Sequence, residues 1–168
     1  MLRTLADVDA TTRWYLERLL EALQARLGGR LVSLVLYGSR ARGTHRSESD
    51  IDVLAVVRDL PRARVARHDV LRPIKQEVDA AYRHATGCGP PYLSYLIKTP
   101  EEAAYHSPLY LDMTEDAVLV YDRDGFFGSV LDAMRRRMAS LGSTRVWLKR
   151  GWYWVLKPDM QWGESVEI

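Results

Sequence analysis

The sequence predicts an α/β or α+β fold, a mixed sheet with helices packed against it. Three observations carry this. Apolar runs of strand length lie at Leu31–Tyr37 and Asp50–Val57, and stretches of helical periodicity surround them. Glycine and proline stand at most of the boundaries between these stretches. The 168 residues fit one domain, and a hydrophobic content of 47% is enough for a core. The whole of 1–168 reads as one unit. It comprises an N-terminal helix at about 7–27, a core at about 30–122, and a C-terminal helix and β-hairpin appendage at about 124–168.

Each element has its own signal. Leu16, Leu19, Leu20, Leu23 and Leu27 recur at helical spacing, and Gly28-Gly29 stops that helix. Leu31–Tyr37 is an apolar run of strand length, buried on both faces if it lies centrally. Asp50–Val57 is the second strand. A helical pattern runs from Arg62 to about Ala85, with Pro73 expected to kink or divide it. Thr86–Pro91 is a turn, and Tyr92–Lys98 alternates as a strand. Thr99-Pro100-Glu101-Glu102 is a capped helix start. Ala117–Tyr121 is a short strand. Phe127, Val130, Leu131, Met134, Met138 and Leu141 mark a further helix, ended by Gly142. Arg145–Leu148 and Trp152–Leu156 then flank Lys149-Arg150-Gly151 as a hairpin.

The chemistry concentrates between Gly38 and Val57. Gly38-Ser39 follows the first strand directly and opens a short helical segment. Backbone N–H groups free at a helix start can hold phosphate. Gly38 permits close backbone approach. The Ser39 hydroxyl can hold terminal phosphate, and Arg40 and Arg42 can contact phosphates or leaving pyrophosphate. Asp50 and Asp52 are two apart on a strand and so share a face. Two carboxylates aimed at one spot suit Mg²⁺, which binds through one or two carboxylates together with substrate phosphates.

These residues resemble the nucleotidyltransferase superfamily that includes the minimal nucleotidyltransferases and the kanamycin nucleotidyltransferase. That family's pattern is a hydrophobic strand, Gly-Ser, often Ala-Arg-Gly, then Ser-Asp-x-Asp and a second strand. Here it reads Gly38-Ser39, Ala41-Arg42-Gly43 and Ser49-Asp50-Ile51-Asp52. The looser resemblance spans Leu31–Tyr121. It implies a polymerase-β-like core and a transferase moving NMP from an NTP, with ATP the expected donor, to a hydroxyl with release of pyrophosphate. One or two Mg²⁺ ions would sit on Asp50 and Asp52 as catalytic and metal-binding residues. Gly38, Ser39, Arg40, Arg42 and Ser49 would bind the nucleotide phosphates. The acceptor implied is a protein side chain, an RNA end or a small molecule. Small members often pair with a helical toxin as its antitoxin. One departure stands out: active members usually carry a third carboxylate on a later strand, but Pro91–Lys98 holds no Asp or Glu. Ser94 or a neighbour occupies that position, and Glu77, Asp79 and Asp112 are the substitutes to consider.

Other features bound the reading. Net charge is +2, so bulk charge does not argue for nucleic acid. Cys88 is the sole cysteine, which excludes an intramolecular disulfide and agrees with a reducing cytoplasm. The N-terminal stretch has no long uncharged apolar core, and a membrane partner is not expected. His45, His68, His84 and His106 show no metal-binding spacing. Arg135-Arg136-Arg137 reads as a solvated helix face. The tail interleaves Trp147, Trp152, Tyr153, Trp154 and Trp162 with cations, which suits packing, a protein partner or a homo-oligomer contact. Two alternatives to the enzyme are a catalytically weakened nucleotide- and partner-binding module, and an RNA-binding protein using the basic helix and hairpin.

Overall fold

A computed structural model describes residues 4–168; Met1–Arg3, where the N-terminal stretch read for targeting begins, lie outside the described residues. The first helix, α1 (Ala10–Leu27), starts at Asp9, whose carboxylate accepts from the Thr12 N–H at 3.0 Å. It ends at Gly28, with φ +51°. The central strand β1 (Leu31–Tyr37) then leads into a one-turn helix, α2 (Gly38–Arg42).

Strand β2 (Ile51–Val57) returns antiparallel to β1. Helix α3 (Arg64–Thr86) crosses over to β3 (Leu93–Lys98), which runs parallel to β2. Two short helices follow, α4 (Pro100–Ala104) and α5 (Pro108–Asp116), then β4 (Val118–Asp122), antiparallel to β1. The sheet order is β3-β2-β1-β4, mixed as expected, with β1 buried over nearly its whole length. Helix α6 (Phe126–Leu141) and the hairpin β5 (Thr144–Leu148) and β6 (Gly151–Val155) complete the chain, the hairpin forming a sheet of its own.

Side-chain alternation along β2 builds two cores. Val53, Ala55 and Val57 face α1 and α3, against Leu16, Leu19, Leu23, Ile74 and Val78. Leu54 and Val56 face α5 and α6, against Tyr110, Met113, Phe127, Leu131 and Met134. Asp52 has the parity of the second set and lies on the α5 side of the sheet.

Two expectations need revision. Pro73 does not divide its helix: α3 is one element. The ring is exposed, so the carbonyl it leaves unpaired one turn earlier is on the wet face. Leu71, Ile74 and Val78 meanwhile hold the apolar face on the sheet. The single helix expected between β3 and β4 is two, separated at Tyr105–Ser107. Pro108 cannot continue α4 by donating an N–H, and it starts α5 instead. The α4 start is as expected: Thr99 and Glu102 make the reciprocal capping bonds.

Candidate active site

Gly38 has φ +75°, and a Cβ built on it would overlap the Asp52 carboxylate. Strand pairing produces this approach. Tyr37 at the end of β1 is the register partner of Asp52, so the chain leaves β1 directly over that side chain. Only a residue without a Cβ can make the turn there. The turn and the acidic motif, separate in sequence, form one structure.

Asp50 is exposed just before β2, and Asp52 is half-buried as its second residue. Burial raises the Asp52 carboxyl above the ordinary range, and the charge of Asp50 acts in the same direction. A hydrogen bond from Ser94 and the charge of Arg42 oppose the rise. Ser94 is the register partner of Asp52 across the β2–β3 pair. A neutral hydroxyl therefore stands beside the acidic pair. Glu77 is ion-paired with Arg26, and Asp79 binds Tyr15 and Lys75, so neither is free to take that place. Asp112, with Asp116, lines a cavity of about 210 Å³ beside Tyr37, Gly38 and Arg42.

Two proposed phosphate ligands are placed otherwise. Arg40 is 3% exposed. Its Nε and Nη2 donate to the Ser49 carbonyl at 2.9 and 2.8 Å, and its Nη1 donates to Thr12 at 2.9 Å, with Asp9 3.6 Å away. A guanidinium with these bonds and this burial ties the Gly43–Asp50 loop to the start of α1. Ser49 accepts from the Arg46 N–H at 2.9 Å through its hydroxyl and closes a turn. Both act on the site by holding the loop that presents Asp50. Ser39 stays half-buried on the first turn of α2. Arg42 stays within electrostatic reach of Asp52, 4.0 Å from Asp116, with its guanidinium 4.6 Å over the Trp152 ring.

The Trp-rich segment supplies residues that motif reading missed. The indole N–H groups of Trp152 and Trp154 both donate to Asp112, at 2.8 and 2.9 Å. Arg145 is 3.1 Å from Asp116, and the Trp147, Trp152 and Trp154 rings lie within 5.4 Å of its guanidinium. One face of the hairpin thus clamps α5 and touches Arg42, while Trp147 and Tyr153 stay 65% and 50% exposed. The signal was the interleaving of Trp with Arg; its target on α5 was not in the local sequence. Within Arg135-Arg136-Arg137, Arg135 donates to the Thr114 carbonyl and Arg137 to that of Glu167.

A family model described as a nucleotidyltransferase domain matches residues 16–113. The chain belongs to the nucleotidyltransferase family. A Methanocaldococcus jannaschii protein named "putative protein adenylyltransferase" is 32% identical over 122 residues, 71% of this chain and 78% of that one. Two solved structures align more loosely. A toxin–antitoxin structure with AMP-PNP is 14% identical over 76% of this chain and 92% of its own, with a TM-score of 0.44. A "putative nucleotidyltransferase" of Sulfolobus solfataricus is 21% identical over 68% and 82%, also at 0.44. The family assignment rests on the sequence matches.

This nucleotidyltransferase presents a donor set that fits a hard divalent cation. Asp50 and Asp52 stand two residues apart at one strand mouth, and a cation there would offset both the burial of Asp52 and the charge of Asp50 acting on it. Among the described residues no group of three or more His, Cys, Asp or Glu forms a fuller cage. A metal held here would complete its shell with water or with phosphate oxygens of a substrate. No described helix is long and apolar enough to cross a membrane.

Proposed function

We propose that the nucleotidyltransferase transfers AMP from ATP to a hydroxyl of a protein, with Mg²⁺ on Asp50 and Asp52. The observation that carries this is the contact between Gly38 and Asp52. It sets the turn that would receive phosphates against the carboxylate that would hold the metal. The protein acceptor is supported by the name of the 32%-identical archaeal relative.

In this reading the acceptor hydroxyl oxygen attacks the α-phosphorus and gives its proton to solvent, a new P–O bond forms, and the bond to the β-phosphate oxygen breaks to release pyrophosphate. When bound, the metal supplies charge neutralisation along the phosphates. The chain's own residues position the reaction. The α2 turn receives the phosphates at Gly38 and Ser39, with Arg42 at the cavity wall. Ser94, the register partner of Asp52, stands beside that carboxylate and favours its charged form. Arg40 and Ser49 hold the loop carrying Asp50. The residues 1–168 serve this as one unit, with the hairpin bracing α5 behind Arg42.

The test is calorimetric titration of the four NTPs with Mg²⁺ into the native chain and into Asp50→Asn/Asp52→Asn. Mg²⁺-dependent binding, strongest for ATP and lost in the double variant, is expected. A folded native chain that binds no NTP overturns the proposal.

A further inference from the structure

Strand β3 is one edge of the main sheet, and a groove of about 450 Å³ runs along it. The groove lies between the start of α3 and α4, lined by Arg64, His68, Tyr95, Lys98, Glu102 and Tyr105 among others. The Ile51 N–H donates to the Tyr92 carbonyl, which fixes the phase of the parallel pairing. The main-chain groups of Ser94 and Leu96 then turn toward β2, and those of Tyr95 and Ile97 turn outward. An unpaired row of this kind is a template for another strand.

The charge along the groove is unbalanced. Glu102 gives its carboxylate to Arg67 in a two-pronged bond. Lys98 donates to the buried Tyr110 hydroxyl at 3.1 Å, and no carboxylate lies within ion-pair distance of it or of exposed Arg64 among the described residues. An ammonium has three donors, so two remain on Lys98. Burial lowers the Lys98 pKa, and so does nearby Arg64, while Glu102 opposes them; an arriving carboxylate would add to that opposition.

Strand β3 itself runs from this groove back to the site. Ser94, Leu96 and Lys98 share a face by alternation, and Ser94 is paired with Asp52. From Ser94 to Lys98 is four residues, about 13 Å at strand rise.

We propose that β3 receives the protein substrate as an added strand, with an acidic side chain held by Lys98 and Arg64. That anchor puts the residue four positions away beside Ser94, on the face of the sheet that carries Asp52 one strand further in, whichever way the added strand runs. The modified hydroxyl then has an Asp or Glu four residues from it. This rests on the reading of the chain as a protein-directed transferase. Affinity comes from main-chain hydrogen bonds and spacing from the anchor.

The test uses short synthetic peptides with one hydroxyl residue and one Glu walked two to six positions from it. They are incubated with the full chain, Mg²⁺ and ATP labelled on the α-phosphate. Labelling is expected to peak at four positions and to fall about tenfold when that Glu is Lys, the scale of one charge-assisted hydrogen bond. Lys98→Glu and the exposed Arg64→Glu are each expected to erase the preference. N-methylation of alternate peptide bonds is expected to abolish labelling in one of its two phases. Labelling indifferent to the position of Glu overturns the proposal. So does a preference that survives both charge reversals, or labelling confined to an RNA oligonucleotide. A chain that binds Mg²⁺-ATP yet labels no peptide overturns the docking and leaves nucleotidyl transfer standing. A chain that binds no nucleotide removes both.

Discussion

Gly38 stands so close to Asp52 that a single added methyl would displace the carboxylate. The contact joins the phosphate turn to the acidic strand. Gly38→Ala would meet two penalties, a side chain at φ +75° and the overlap itself. We expect a stability loss of about 1–3 kcal/mol by thermal unfolding. A misplaced carboxylate should also lower transfer by about 100-fold in an α-labelled ATP assay. Native-like activity would mean that the turn and Asp52 are not coupled.

Asp52 titrates above its ordinary 3.8 because it is buried and because Asp50 is near. The folded chain therefore keeps that proton to higher pH than the unfolded chain does. Its contribution to stability is most favourable below the unfolded pKa and is lost as pH rises through the folded one. At neutral pH in EDTA, Asp52→Asn should therefore melt above the native chain while losing transfer. Mg²⁺ should raise the melting temperature of the native chain alone. A variant that melts lower in EDTA contradicts the electrostatic account.

Ser94 is the neutral neighbour of Asp52, where a third carboxylate would complete the set. Ser94→Asp should add repulsion, lowering the melting temperature in EDTA, and should tighten Mg²⁺ binding by calorimetry. If the proton of the acceptor hydroxyl limits the rate, turnover should rise by about 100-fold, the lower bound for a positioned base. Unchanged Mg²⁺ affinity would show that residue 94 does not face the metal.

Glu102 behaves in the opposite sense to Asp52. Hydrogen bonds from Arg67 hold its carboxyl down at about 2 from a usual 4.5. Its contribution is present above 4.5 and is lost as pH falls toward 2. In Glu102→Gln the acid unfolding curve should flatten across that window, read by circular dichroism. An unchanged curve would place the acid sensitivity elsewhere.

The hairpin reaches the site through Trp152, which donates to Asp112 and stacks under Arg42. Trp152→Ala should cost about 2–4 kcal/mol from lost packing and an indole bond. It should also weaken ATP binding, because Arg42 loses the ring that orients it. Trp152→Phe keeps the ring and should recover most of the nucleotide affinity. Equal loss in both variants would point to the hydrogen bond alone.

The chain's own order determined a good deal. Apolar runs of strand length and stretches of helical period gave the strands and most helices, because burial on both faces of a sheet or along one helix face writes those patterns locally. The Gly38–Asp52 motif was legible because each residue's chemistry is written at a fixed distance along one turn and one strand. Tertiary structure decided the rest. Arg40 and Arg42 look alike in sequence. Only packing shows one buried between Ser49 and Thr12 and the other facing the cavity, since burial depends on partners far along the chain. Pro73 reads as a break until the sheet fixes the helix on both sides of it. Ser94 beside Asp52, and Trp152 and Trp154 on Asp112, are pairings of strand register and helix docking, which no local spacing encodes.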